Sequence, residues 1–286
     1  MKAPELLAPA GDLEKLKIAL LYGADAVYIG GTVFSLRARA SKFDLDSIRE
    51  AVQFAHSLGK KVYVTTNMVL HNEDMAGLDD YLKALETIGV DAIIASSPYI
   101  IDRCLKTTSV PVHLSTQQSV TNSCHAQYWF DYGLERVVLA REVSLENLKK
   151  IKKEVTGQLE VFIHGGMCVS YSGRCTLSNA MTARDANRGG CAHSCRWHYT
   201  LYDRNQMIGS PDSFRMSSKD LDAIEYIPSL IDLGIDSLKI EGRMKSAHYI
   251  ATVVYVYRML IDDYCQNQLK DRDYYYQEIA KAENRE

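Results

Sequence analysis

Four of the chain's seven cysteines, Cys168, Cys175, Cys191 and Cys195, fall within 28 positions, with six, fifteen and three residues between them. Thiolates gathered in this way serve a structural zinc or an iron-sulfur cluster. Zinc ribbons and knuckles favour cysteines two residues apart, because a tight turn aims both sulfurs at one small ion, and neither close pair here has that spacing. A cubane binds its cysteines through separate irons and tolerates looser spacing. The spacing therefore leans towards [4Fe-4S] and leaves zinc open. The radical SAM pattern, three cysteines within eight positions, is absent. An odd cysteine total argues against a complete disulfide framework. Cys104, Cys124 and Cys265 fall in helical segments and read as small buried hydrophobes.

The elements that must position these thiols follow from a repeated pattern of amphipathic helix, glycine and short β-branched strand. It recurs in "LYGADAVYIGG", "SLGKKVYVTTN", "TIGVDAIIASS", "DYGLERVVLAR", "VTGQLEVFIHG" and "DLGIDSLKIEG". Their glycines, Gly23, Gly59, Gly89, Gly133, Gly157 and Gly234, stand where a helix must turn back through a left-handed residue. Adding "ELLAPAG" and "VPVHLSTQQ" makes eight strands. Helices fill the gaps, several opening on Asp or Ser as N-caps, the seventh from near Asp220 and the eighth over "SAHYIATVVYVYRMLIDDY", ending at Tyr264. Strict alternation of strand and helix forces parallel pairing. Eight units predict a TIM-type (β/α)8 barrel over residues 1–265. An open doubly wound sheet is the rival, but the first turn, "APAGD", lacks a dinucleotide fingerprint. About 55 residues separate strand seven from helix seven, so the cysteines lie in a long insertion, 165–218, on the strand-to-helix face that carries active sites in this fold. Residues 266–286 read as a C-terminal tail.

The 286 residues, 47% hydrophobic, can bury a large core, and a net charge of −3 advertises no global nucleic-acid affinity. Only local patches could hold phosphate: "RARASK" at 37–42, "KKIKK" at 149–153, the latter reading as a solvated helix face, and the run from Arg184 to His198. No signal peptide opens the sequence and no run of about 18 apolar residues interrupts it, so a cytoplasmic protein without a membrane partner is expected.

The stretch Glu160 to Ser178, "EVFIHGGMCVSYSGRCTLS", closely resembles the signature of the collagenase-like peptidases of uncharacterised mechanism. Glu160, Phe162, Gly165, Cys168, Gly173, Cys175 and Ser178 fall in register, and Gly166 stands where Ala or Ser is usual. The resemblance runs from "ELLAPAGD" to "SLKIEGRMKS". It implies a [4Fe-4S] cluster on Cys168, Cys175, Cys191 and Cys195, and oxygen-independent hydroxylation of transfer RNA, ribosomal RNA or ubiquinone precursors. The branch most similar to this chain makes 5-hydroxyuridine at the wobble position of tRNA and depends on prephenate. Members of that branch commonly continue into a small C-terminal β domain, which residues 266–286 would begin. Two other readings remain. One is a cluster-stapled subunit or scaffold of an RNA-modifying or quinone-hydroxylating complex, paired with a paralogous subunit. The other is a peptidase, for which no His-Glu-x-x-His exists and only His164 and Cys168 offer a base beside a nucleophile.

Polar residues at strand ends would line the site: Tyr28, Asn67, Gln117, Asn122, Arg141, Glu142, His164, Lys239, Glu241 and Arg243, with Arg37 in the loop after strand two. Each could equally tie down the barrel rim. Prephenate, a small dicarboxylate, would be held by the guanidinium forks of Arg37, Arg141 and Arg243. His164, Glu241 and Lys239 are the candidate catalytic groups: His164 for proton transfer at the pyrimidine ring, with a structural histidine as its alternative, and Glu241 alternatively neutralising Lys239 and Arg243. Asn67 and Gln117 would bind substrate, and Arg184, Arg188 and Arg196 would meet tRNA phosphates. Trp197, His198 and Tyr199 would sandwich a base or begin a β hairpin. Lys219 would meet a phosphate, and Asp220 would cap helix seven.

Overall fold

The computed structural model describes residues 2–36 and 42–282. All eight expected strands form: β1 (Glu5–Pro9), β2 (Ala26–Gly30), β3 (Lys61–Thr66), β4 (Ala92–Ala95), β5 (Val112–Leu114), β6 (Arg136–Val138), β7 (Gln158–Gly165) and, after three strands outside the repeat, β11 (Ser237–Ile240). Each pairs in parallel with its neighbour, β11 pairs with both β7 and β1, and β6 with β7, so the sheet closes as a (β/α)8 barrel. The three others are the hairpin β8 (Leu201–Asp203) and β9 (Gln206–Ile208), and β10 (Leu221–Asp222), which lies antiparallel to the end of β7.

The helices between strands are α1 (Leu13–Leu21), α2 (Leu45–Ser57), α3 (Leu78–Ile88), α4 (Pro98–Thr107), α5 (Ser123–Asp131), α6 (Leu145–Glu154), α8 (Ile227–Asp232) and α9 (Ala247–Cys265), while α7 (Leu177–Thr182) belongs to the insertion. Asp12, Asp44, Asn122, Ser144 and Ser246 cap five of them through side-chain oxygens that accept the N–H three residues on. Of the six repeat glycines, five have positive φ; Gly157 does not. There the requirement is room, because a Cβ would lie 2.2 Å from the Phe130 ring.

Two cores result. One fills the shell between strands and helices. The other lies inside the barrel, where Leu7, Ala26, Tyr28, Tyr63, Ala92 and Ile94 pack together. Beside it Glu5, Arg136, Glu160 and Lys239 form a chain of ion pairs between strands.

Three expectations are corrected. Helix seven does not begin at Asp220, because Leu221 and Asp222 pair with Gly165 and His164 and helical structure starts at Ile224. Cys124 is exposed rather than buried, although Cys104 is buried as expected. Gly157, as above, needs no left-handed turn. The tail, among its described residues, carries a helix, α10 (Arg272–Ile279), held to α9 by the Tyr275 hydroxyl donating to Asp263 at 2.8 Å. No helix among the described residues is long and apolar enough to cross a membrane.

Candidate active site

The strand-to-helix face opens into a cavity of about 240 Å³. Its floor is Lys239 on β11. The Lys239 ammonium donates to Glu160 at 2.8 Å and lies 4.6 Å from the Tyr28 ring and 5.4 Å from the Phe162 ring. Burial lowers the Lys239 pKa while Glu160 holds it up; Arg136 and Arg243 oppose Glu160, and the net shift is downward. Burial would raise the Glu160 carboxyl, but Lys239 and Arg136 outweigh it and hold it at about 2.

Two arginines face each other across the walls. Arg141 stacks on Phe162 at 3.8 Å and donates Nη1 to the Gly166 carbonyl at 2.8 Å, and its Nε has no hydrogen-bond partner among the described residues. Arg243 donates to the hydroxyls of Thr65 at 3.0 Å and Ser35 at 3.3 Å. Gly30 makes way for it, because a Cβ there would meet Nη1 at 2.2 Å. Asn67 accepts from the Leu36 N–H, Gln117 accepts from the Ser115 hydroxyl, and the Tyr28 hydroxyl donates to the Ile240 carbonyl. Glu241 lines the same cavity with Arg196. A Cβ on Gly166 would sit 3.4 Å from Arg196 Nη2 and 3.5 Å from Glu241 Oε2, so the Ala usual at this position would fit in ordinary contact.

All four cysteines of the insertion line this cavity. Their loops are cross-braced. The Ser178 hydroxyl donates to the Gly190 carbonyl and accepts from the Ala192 N–H, and Asn187 donates to the Cys175 carbonyl at 3.1 Å. Glu142 accepts from Ser172 N–H at 2.7 Å and fixes the turn between Cys168 and Cys175. The Cys168 sulfur accepts from Ser170 N–H at 3.4 Å. Burial, then Cys168, raises the Cys195 thiol pKa, Arg196 pulls it down, and Cys191 and Cys175 add to the rise, so the four sulfurs share one electrostatic neighbourhood. Among the described residues no three His, Cys, Asp or Glu groups converge on a point where one metal ion could sit. The donor set, four thiolates on one cavity, has the chemistry of either a structural zinc or a [4Fe-4S] cluster.

Several expected site residues lie elsewhere. His164 is only 2% exposed and stands outside the cavity lining. Strand alternation would turn it inward after Glu160 and Phe162, but Lys239 pairs with Phe162 and Ile240 with His164, which leaves Ile163 as a bulge. The His164 ring thus packs against Tyr249 and Tyr257 of α9, with Nδ1 3.3 Å from the Tyr257 hydroxyl. Its described contacts are with α9 and not with Cys168. Asn122 is a helix cap. Arg188 is engaged by Asp74 through both carboxylate oxygens and donates to the Val69 carbonyl, so it clamps the insertion to the barrel rather than facing solvent as a phosphate contact. Arg184 is exposed away from the cavity, and Arg37 lies outside the described residues. Asp220 makes an ion pair with Lys245 at 3.6 Å and caps no helix.

A model of peptidase family U32 matches residues 11–286. The chain belongs to that family. Among U32 relatives, tRNA hydroxylation protein P1 of Bacillus subtilis is 54% identical over the whole chain, which covers 70% of that protein. The 23S rRNA 5-hydroxycytidine C2501 synthase of Escherichia coli is 40% identical over 90% of the chain and 39% of its own length. A collagenase of Porphyromonas gingivalis is 33% identical over 91% of the chain and 66% of its own length. The solved U32 peptidase Mk0906 superposes with a TM-score of 0.57 at 15% identity, over 85% of this chain and 95% of that one, and bears on the fold alone.

Sequence reasoning missed Arg136, Glu5 and Phe162. The signal was present: a charge inside a buried parallel strand, as in "LERVV" and "QLEVF", has to find a partner in the lumen.

Proposed function

We propose that this chain is an RNA hydroxylase that converts a tRNA wobble uridine to 5-hydroxyuridine, using a [4Fe-4S] cluster on Cys168, Cys175, Cys191 and Cys195 and prephenate as a small dicarboxylate. The observation that carries the reading is the meeting, in one cavity, of four cysteines with the cationic and aromatic strand ends. The names of relatives that match 90–100% of the chain support the reaction class.

Replacing a ring C–H by C–OH with oxygen from water releases two protons and two electrons, which an external electron acceptor must take; a cluster beside the cavity would supply a one-electron relay when bound. The chain's own residues do the rest. Arg141 and Arg243 approach from opposite walls and are suited to fork onto two carboxylates, Arg141 with an Nε free to donate. Lys239 places positive charge at the floor, where the Tyr28 and Phe162 rings face cations: Lys239 lies over both and Arg141 stacks on Phe162. Glu241, which makes no ion pair with a described residue, is the remaining carboxylate positioned to take or hold a proton.

The test is nucleoside analysis of tRNA from a deletion strain complemented with the wild-type chain or with Cys→Ser variants at each ligand, alongside anaerobic purification. Hydroxylated uridine should be lost with each of the four variants, and the protein should be brown. Cys104→Ser should keep both properties. A colourless protein with one bound zinc, or an unchanged nucleoside profile, would remove the assignment.

A further inference from the structure

The insertion 165–218 holds six arginines, no lysine and no glutamate against three aspartates, in a chain whose net charge is −3. Positive charge is therefore concentrated beside the cavity. One of the six, Arg188, is bound to Asp74; Arg184, Arg196, Arg204 and Arg215 are exposed and form no ion pair with a described residue.

The same region projects the β8–β9 hairpin, all six strand residues of which are exposed. Tyr202 is 64% exposed and Ile208 53%, and the hairpin is flanked by Trp197 at 44% and by Phe214. Its base is rigid. Tyr199 pairs with Phe214, the Tyr199 hydroxyl donates to the Ser194 carbonyl at 2.7 Å, and Thr200 exchanges hydrogen bonds with Asp212. Ser194 adjoins Cys195, so the hairpin is tied to the cysteine loop, and Arg196 between them reaches the cavity. A two-stranded hairpin that covers no core has no stabilising reason to expose rings and aliphatic chains. Aromatic faces interleaved with unpaired arginines suit one kind of occupant: unstacked bases carried on phosphates. A duplex would hide its bases from these rings.

We propose that the segment Trp197–Arg215 is the platform for a single-stranded RNA loop, with bases stacking on Trp197, Tyr202 and Phe214 and phosphates meeting Arg204 and Arg215. The base to be modified then passes Arg196 into the cavity. This rests on the RNA-hydroxylase reading and goes further by naming the surface that receives the loop.

The chain has two tryptophans, and Trp129 is buried, so Trp129→Phe leaves Trp197 as the sole reporter. The full chain carrying that change is titrated with a short RNA stem-loop and, separately, with a fully paired RNA duplex of equal phosphate number. The stem-loop should quench Trp197 emission and the duplex should not. Tyr202→Ala and Phe214→Ala should each weaken stem-loop binding about ten-fold, without moving the melting temperature. Arg204→Ser and Arg215→Ser should each reduce the logarithmic salt slope by about 0.7. Stem-loop binding with unaltered Trp197 emission and unaltered affinity in these variants would overturn the platform and leave the RNA-hydroxylase reading standing. Failure of both RNAs to bind would overturn both. Concentration-dependent shielding of Trp197 without RNA would give the surface to a second copy of the chain and refute the proposal.

Discussion

Replacing Glu160 by Gln removes the carboxylate that bridges two buried cations, Lys239 at 2.8 Å and Arg136 at 3.1 Å. Arg136 keeps Glu5 at 2.5 Å, so the orphan is Lys239, which is 4% exposed. An unpaired buried charge costs about 3–5 kcal/mol. The amine can escape by losing its proton, which at pH 7 costs about 4.6 kcal/mol from an unfolded pKa of about 10.4. Both routes place the loss near 4 kcal/mol. The sign with pH is specific. In the variant the folded-state pKa of Lys239 is depressed, the unfolded chain binds more protons, and stability rises with pH by up to about 1.4 kcal/mol per unit between the folded pKa and about 10.4. In the wild type the Glu160 pKa of about 2 lies below its unfolded value. That contribution, about 3 kcal/mol, is complete above the unfolded pKa of about 4.3 and is lost as pH falls towards 2. Urea denaturation of the two proteins across neutral and alkaline pH reads the difference directly. Glu160→Gln/Lys239→Met should recover most of the loss, because both charges leave together. A variant within about 1 kcal/mol of wild type and flat in pH would mean that water reaches the pair and that the ion-pair chain described above is not closed to solvent.

Arg188→Ser should leave the salt slope of RNA binding unchanged while making the insertion more sensitive to limited proteolysis, since the guanidinium clamps Asp74; a reduced slope would return Arg188 to the phosphate contacts. Arg141→Lys and Arg243→Lys keep charge but lose the fork, and each should weaken prephenate binding by roughly 1.5–3 kcal/mol, read as reduced thermal stabilisation by the acid. Equal stabilisation in both variants would count against the two-wall arrangement. His164→Ala should lower the melting temperature by loosening the contact with Tyr249 and Tyr257, without removing a limb from the pH profile of hydroxylation. Loss of that limb at unchanged stability would restore a catalytic role.

What the sequence disclosed was periodic or local. Glycine spacing and the β-branched runs located all eight barrel strands, and Asp12, Asp44 and Ser144 marked their helices because capping is decided within three residues. The site was legible as far as strand ends predict it: Tyr28, Asn67, Gln117, Arg141, Glu142, Lys239, Glu241 and Arg243 all reach the cavity. His164 failed because a bulge depends on register with β11, more than seventy positions away, which no pattern within "VFIHGG" reveals. Arg188 failed for the same kind of reason. Its partner Asp74 is 114 residues distant, and an arginine in a basic run looks alike whether its charge is spent or free. The start of helix seven was misplaced because Asp220–Leu221 resembles a cap followed by an apolar residue, whereas the long β7 outruns its parallel neighbour and takes Leu221 as a partner.

The position of Lys239 links these parts. It belongs at once to the ion-pair chain from Glu5 and to the cavity that the cysteines share, so the charge at the floor is set by barrel strands and not by mobile loops. The insertion is fastened by Arg188 on Asp74 and Glu142 on Ser172, and β10 on β7 anchors the chain just beyond its end. A floor fixed by the lumen and a rim fixed by three clamps would hold small-acid and base-binding groups in constant relation. The exposed hairpin beyond the clamps is free to differ without disturbing them. On this arrangement, exchange of the segment Trp197–Arg215 between U32 relatives should change which RNA is bound and leave binding of the small acid intact. Loss of small-acid binding in such a chimera would show that rim and hairpin are one cooperative unit.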